Sequence, residues 1–165
     1  MESPEVWLRG PLPGIPALLQ PVAHALVQSG EEVEKMMLGF PREKLWQRPA
    51  DVASPGFHLR HLTGVLDRLF TYARGESLTE QQFEYLKNEG TSADITPAEL
   101  VKNFREQIAT ALRQLESTSE NTLTNPVSVG RKKLPSTVLG LLFHAAEHTQ
   151  RHTGQLLVTV RILTA

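Results

Sequence analysis

The sequence predicts an all-α protein, a four-helix bundle with long connecting loops. Four segments repeat apolar residues every three or four positions, which is the spacing of an amphipathic helix. The connections between them are polar or rich in proline and glycine, and strand-like alternation is confined to short loop pieces. At 165 residues the chain is long enough for one substantial core. We therefore expect a single domain over residues 1–165, with residues 1–15 packed on the bundle as an N-terminal extension.

The first two helices are predicted over residues 16–38 and 54–74. Proline is tolerated only in the first turn of a helix, so the first helix should start at either Pro16 or Pro21. Ser54 and Pro55 together indicate the start of the second helix, as a side-chain cap followed by proline at the first helical position. Gly75 is a typical residue just beyond a helix and indicates where the second helix ends.

The third and fourth helices are predicted over residues 96–117 and about 135–163. Thr96 and Glu99 form the capping-box pattern, and Pro97 occupies the first helical position. The apolar residues of the fourth helix nearly encircle it, so we expect it to be the most buried helix.

The connections are predicted to contain little regular structure. A short helix is expected near residues 79–87 and an extended piece near residues 124–129. Trp7 and Leu8 are the expected anchors of the N-terminal extension. The long connections would allow a crossover in place of strict up-and-down order.

Composition and charge argue against several classes of protein. Basic residues number 17 and acidic residues 18, so a net charge of −1 lacks the basic surface that nucleic-acid binding requires. The chain has no cysteine, so any metal must be held by nitrogen and oxygen ligands. The N-terminus lacks the features of a signal peptide, and no apolar run approaches the roughly eighteen residues of a membrane span. These observations predict a cytoplasmic protein that interacts with neither nucleic acid nor membrane.

Histidines are concentrated in two of the predicted helices. His58 and His61 lie in the second helix, and His144, His148 and His152 lie in the fourth. Two residues four apart on a helix differ in direction by only about 40°, so His148 and His152 share a face. A third imidazole from a neighbouring helix would complete a three-nitrogen metal site.

Packing is the competing interpretation of each histidine. A single histidine is more often a packed or surface residue than a ligand, and we interpret the isolated His24 in this way. Several buried histidines in one core are harder to satisfy with backbone carbonyls alone, whereas a metal accepts one nitrogen from each. Glu147 lies about 100° around the helix from His148 and is expected to point elsewhere.

The two histidine segments resemble the DinB/YfiT superfamily of four-helix-bundle metalloproteins. The resemblance rests on a serine-initiated second helix with a histidine seven residues later, and on two histidines followed by Gly-Gln in the last helix. The matching residues are Ser54, His61, His148, His152, Gly154 and Gln155. The resemblance implies that His61, His148 and His152 are the metal ligands. His58, His144 and Gln155 are then candidates for lining the site, and Gly154 for close helix approach.

The resemblance also implies a class of function. Members of the superfamily are described as metal-dependent hydrolases or as transferases and isomerases that use a low-molecular-weight thiol. We therefore expect a metal-dependent enzyme acting on a small molecule, either a thiol S-transferase or a hydrolase, with zinc or nickel as the divalent ion. No separate cofactor-binding residues are predicted, and a homodimer is expected. A metal-binding bundle without turnover, or a purely structural bundle, remains the alternative.

Overall fold

The computed structural model describes residues 4–165 and confirms the all-α fold class. The helices, in chain order, are α1 (Gln20–Met37), α2 (Pro55–Ala73), α3 (Glu80–Asn88), α4 (Pro97–Ser117) and α5 (Val138–Thr164). The short strands β1 (Pro126–Val129) and β2 (Leu134–Thr137) pair antiparallel before α5. Among residues 4–165, no helix combines the length and apolar character needed to cross a bilayer.

The four long helices pack in an order that differs from their order in the chain. Helix α1 packs against α4 and α5, and α2 packs against the same two helices. Helices α1 and α2 therefore lie on one diagonal of the bundle, with α4 and α5 on the other. The long connections that follow α1 and α4 each cross the bundle, and α2 and α5, which carry the histidines, become neighbours.

The core lies between these four helices and is made of aliphatic and phenylalanine side chains. Each long helix contributes residues that are completely or almost completely buried. Leu19 and Leu45 from the connecting segments join them, and the largest such side chains of the helices are Leu26, Leu59, Leu62, Leu66, Phe70, Phe104, Leu115, Leu142 and Leu156. A single continuous cluster contains all of these side chains, which is the arrangement expected of one domain core.

The capping residues act as the sequence predicts. The Ser54 hydroxyl accepts a hydrogen bond from the backbone N–H of Phe57 at 3.2 Å. Thr96 and Glu99 form both bonds of a capping box at the start of α4. Gly75 follows α2 with φ of +76°, a conformation that favours glycine. These local signals position α2, and therefore its histidines, from the sequence alone.

The start of α1 was predicted correctly, whereas that of α5 was wrong by a few residues. Helix α1 begins at Gln20, after a 3₁₀ turn over Ala17–Leu19, which puts Pro21, one of the two predicted starts, in its first turn. Helix α5 begins at Val138, because the residues before it pair with β1 in a two-stranded ribbon. The Thr137 hydroxyl accepts from the backbone N–H of Gly140 at 3.0 Å and caps the helix there.

The prediction that the last helix is the most buried was also wrong. Most residues of α2 are buried, whereas most residues of α5 are at least partly exposed. The apolar residues that complete the circle around α5 are on the surface: Leu139, Phe143, Leu157, Val158 and Ile162. Helix α5 is longer than the other helices, and they cover only part of its surface. Its apolar residues on the remaining side are therefore exposed.

The N-terminal segment is attached through residues other than the predicted ones. Trp7 and Leu8 are 61% and 57% exposed, whereas Val6 is only 3% exposed. The backbone N–H of Val6 donates to the side chain of Gln28 at 2.9 Å, and Arg9 pairs with Glu31 at 2.7 Å. The anchor is therefore Val6 with polar contacts to α1. Residues 1–3 of the predicted extension lie outside the described residues.

Candidate metal site

Helix α2 places two histidines toward α5. The Ser54 cap fixes the first turn, and His58 and His61 follow one and two turns into the helix. His58 is 3% exposed, while His61 is partly buried. Phe57 stacks on the imidazole of His61, with ring centroids 5.2 Å apart and planes 10° from parallel. This aromatic contact restricts the orientation of the His61 ring.

Helix α5 supplies the other two histidines of the site. His148 and His152 are one turn apart, and their ring centroids lie 4.6 Å from each other. Their centroids lie 5.2 Å and 4.4 Å from that of His61. Both rings are partly buried at the α2–α5 contact. The helical spacing of four residues brings the two rings together, and the neighbouring position of α2 adds the third.

The three imidazoles form a group that could hold a metal ion. One nitrogen from each of His61, His148 and His152 lies within 4.8 Å of the other two. The Nε2 atoms of His61 and His148 are 2.9 Å apart. Two imidazole ligands on a tetrahedral zinc ion would lie roughly 3.3 Å apart, given Zn–N distances of about 2.0–2.1 Å. An ion therefore requires only a small separation of these rings.

The protonation state of the cluster also suits a cation. Burial, followed by the charge of His61, lowers the pKa of His148 to about 4 and that of His152 to about 3. Burial likewise lowers the pKa of His58 to about 4. The imidazoles of His58, His148 and His152 are therefore neutral at neutral pH. Only a neutral imidazole has a lone pair to give to a metal.

The three rings differ in the contact made by the second ring nitrogen. The Nδ1 atom of His61 lies 2.8 Å from Oε2 of Glu89, and the Nδ1 atom of His152 lies 3.1 Å from Nδ1 of His58. The buried Nδ1 atom of His148 has no hydrogen-bond partner among residues 4–165. Two of the three rings are thus anchored by a neighbour, which is common for metal-binding histidines.

The other predicted site residues lie at different distances from the cluster. His58 contacts His152 directly, as described above. His144 is exposed, and its ring centroid is 5.3 Å from that of His148. Gln155 is exposed and forms no hydrogen bond with the histidine cluster within the described part of the chain. A Cβ atom at Gly154 would meet no atom of residues 4–165 within 4 Å, so close helix approach does not explain this glycine.

Glu147 was predicted to point away from His148, and the structure places it nearby. Its carboxylate accepts from Arg151 at 2.7 Å and lies 2.7 Å from Nδ1 of His144. Ligand atoms of His144, Glu147 and His148 lie within 4.8 Å of one another. The glutamate side chain is long enough to reach His144, although Glu147 is about 100° around the helix from His148.

Glu89 and Arg68 were not recognised from the sequence. Glu89 follows α3, and its carboxylate lies between His61 and Arg68, whose Nη1 donates to Oε1 at 2.6 Å. Glu89 is 2% exposed and Arg68 is 7% exposed. His61 and Glu89 are 28 positions apart in the sequence with a polar connection between them, and no pattern in the sequence indicates that these side chains meet.

The fold and the site define an all-α protein, a four-helix bundle with a three-histidine group that could bind a metal. The family profile of the DinB superfamily matches residues 25–156, and the chain belongs to this superfamily. Comparison with curated proteins finds no match.

Two solved structures share the fold. A conserved protein from Enterococcus faecalis superposes with a TM-score of 0.67 at 16% identity, covering 87% of this chain and 95% of that one. A protein from Streptococcus pneumoniae superposes with a TM-score of 0.63 at 15% identity, covering 87% of this chain and 88% of that one. At these identities the likeness concerns the fold alone.

Proposed function

We propose that this protein is a metal-dependent enzyme acting on a small molecule, with one divalent ion held by His61, His148 and His152. The observation that carries the proposal is the approach of the three imidazole nitrogens to within 4.8 Å from two neighbouring helices. The ligands are all nitrogen, which suits zinc or nickel.

The chemistry of the donor set supports this proposal. The lowered pKa values of His148 and His152 leave both rings neutral at physiological pH, so no proton has to be removed before an ion binds. A divalent ion with three neutral protein ligands would supply an open position at which a thiol or a water loses its proton near neutral pH.

The acidity of a thiol favours it over water as the group bound at this open position. A free thiol has a pKa of about 8.5, so it loses its proton with far less assistance than water. Glu89 has one oxygen on His61 and the other on Arg68, so it is poorly placed to act as a general base. We therefore propose thiol S-transfer as the activity, with a low-molecular-weight thiol as co-substrate and hydrolysis as the second candidate.

Metal content tests the first part of the proposal. We expect close to one zinc or nickel ion per chain by elemental mass spectrometry of untagged protein, and its loss in a His148→Ala/His152→Ala variant. His24→Ala is the matched control, because His24 lies on α1 and contacts the carbonyl of Gly10 at 3.1 Å, away from the cluster. Wild-type protein that takes up no metal after reconstitution would overturn the proposal.

Turnover tests the second part. Metal-loaded protein should accelerate the conjugation of a small thiol with an electrophile, and the double histidine variant should not. Faster hydrolysis of a model ester without thiol conjugation would favour the hydrolase. A metal-loaded protein that accelerates neither reaction across a broad panel would favour a metal-binding protein without turnover.

The homodimer and the cytoplasmic location stay predictions. Light scattering on the size-fractionated protein would measure the molar mass in solution, and a monomer at all concentrations would contradict the homodimer. Fractionation of cells that express the untagged protein would test the location.

A further inference from the structure

Glu89 is a buried carboxylate with two well-defined partners. It is 2% exposed, although every residue of the preceding helix α3 is at least partly exposed. Taking a carboxylate out of water is costly unless its oxygens are paired. Here Oε1 accepts from Arg68 at 2.6 Å and Oε2 lies 2.8 Å from Nδ1 of His61. The carboxylate therefore connects a fixed cation to one of the three clustered imidazoles.

We propose that Glu89, held by Arg68, is a positioning residue that prepares His61 to bind the metal. This inference rests on the proposed metal site. A carboxylate accepts hydrogen bonds only, so the Nδ1 atom of His61 carries the proton that it donates to Glu89. In the neutral ring the Nε2 atom then carries the lone pair, and this atom already lies 2.9 Å from Nε2 of His148. Glu89 thus selects the tautomer of His61 that can act as a ligand.

The space around Glu89 is built to hold this arrangement. Gly64 lies on α2 beside the carboxylate, and a Cβ atom there would collide with Oε1 of Glu89 and lie 2.7 Å from Nη1 of Arg68. It would also lie 2.7 Å from the ring of Tyr85 on α3. With the side chains of Glu89, Arg68 and Tyr85 in these positions, only glycine fits at position 64.

A purely structural salt bridge does not account for the geometry. Arg68 alone would satisfy a docking role, yet only one carboxylate oxygen is directed to it and the other is directed to His61. Docking of α3 has its own contacts: Gln82 donates to Asp67 at 2.7 Å, and Arg60 donates to the carbonyl of Asn88 at 2.7 Å. Glu89 adds to these a direct link between the end of α3 and the metal cluster.

This link predicts that metal binding is coupled to α3. A metal on His61 strengthens the bond from its Nδ1–H to Glu89, and Glu89 directly follows the C-terminal end of α3. Amide hydrogens of α3 should therefore exchange more slowly when the protein is loaded with zinc. The effect should disappear when Glu89 can no longer accept from His61.

The experiment compares metal affinity in three variants with that of the wild type. Glu89→Gln removes the charge, and Arg68→Met/Glu89→Met removes the whole buried pair, a change that folded proteins often tolerate. Glu31→Gln is the matched control, because Glu31 is also paired with an arginine, Arg9 at 2.7 Å, but lies on α1, which carries none of the clustered histidines. We expect zinc affinity, measured by competition with a chromophoric chelator, to fall about 10–100-fold in both Glu89 variants and to stay unchanged in the control.

Two further readouts separate positioning from folding. Nuclear magnetic resonance of the metal-free protein should show His61 protonated at Nδ1 in the wild type and a shift toward Nε2 protonation in the double methionine variant. Circular dichroism of both metal-free proteins should be the same. If His61 is protonated at Nε2 in the wild type, or if both Glu89 variants bind zinc as the wild type does, the positioning role is overturned while the metal site stands. Wild-type protein without zinc affinity would overturn both.

Discussion

The three clustered imidazoles differ in how firmly each is held. His61 is fixed by a carboxylate and by the stacked ring of Phe57, and His152 by His58. The buried Nδ1 atom of His148 has no partner within residues 4–165. Unpaired buried polar atoms are uncommon because they cost free energy, and they often mark functional positions. At the scale of single residues, His148 is the ring with most freedom to adjust to an ion.

The lowered pKa values of the buried histidines predict a stability that depends on pH. Burial lowers the pKa of His58 to about 4, whereas an unfolded histidine titrates near 6.5. Between these values the unfolded chain binds more protons, so the free energy of unfolding decreases as the pH falls. His58 alone contributes at most about 1.4 kcal/mol per pH unit.

Urea unfolding of the metal-free protein checks this prediction. The free energy of unfolding should be smaller at about pH 5 than at about pH 7. A His58→Gln variant should lose less stability over the same range, because position 58 no longer titrates. It should still lose some, because His148 and His152 do. Equal losses in the variant and the wild type would contradict a role for His58.

Two glycines provide opposite predictions for the same substitution. In a helix interior, alanine is preferred over glycine by about 1 kcal/mol. Gly154→Ala should therefore stabilise the protein by up to about 1 kcal/mol, because the added Cβ meets no described atom within 4 Å. Gly64→Ala should destabilise it by about 1–3 kcal/mol and weaken zinc binding, because the Cβ collides with Glu89 and Arg68. Thermal unfolding of both variants measures the difference, and stabilisation by Gly64→Ala would contradict the close packing.

At the scale of elements, helix starts depend on single side chains. The Thr96 hydroxyl accepts from the backbone N–H of Glu99 at 3.2 Å, and the Glu99 carboxylate accepts from that of Thr96 at 2.8 Å. Without the hydroxyl, the N–H of Glu99 loses its partner, because the first turn of a helix has no backbone acceptor for it. The start of α4 is therefore specified within four residues.

Thr96→Ala should lower the free energy of unfolding by about 1 kcal/mol. Chemical denaturation measures the change. Ser119→Ala is a suitable comparison, because Ser119 precedes a 3₁₀ turn without a side-chain cap. Equal effects of the two substitutions would show that the capping box contributes little.

At the scale of the whole molecule, the metal should couple two helices that are far apart in the chain. Helices α2 and α5 are neighbours in the bundle, and the cluster spans their contact. A ligand that binds only the folded state stabilises it, by about 2.7 kcal/mol when its free concentration is 100 times Kd. Zinc should raise the Tm of the wild type and leave that of His148→Ala/His152→Ala nearly unchanged. The same Tm shift in both proteins would indicate binding outside the cluster.

Features that depend on neighbouring residues were predictable from the sequence. The Ser54 and Thr96 caps and the Gly75 stop define helix ends through contacts within a few residues. The spacing of His148 and His152 likewise places both rings on one face of a helix. The resemblance to a known superfamily then indicated that His61 joins them, and the structure brings the three together.

The sequence by itself determined the helices, their caps and the shared face of two histidines, because these follow from backbone hydrogen bonding over three or four residues. Only the tertiary structure decided that Glu89 and Arg68 hold His61, that His58 contacts His152, and that one side of α5 remains exposed. These features depend on which helices become neighbours, and the packing of the entire core determines that order. A buried carboxylate 28 residues from its imidazole has no periodicity to reveal it, since the contact forms through space and not along the chain.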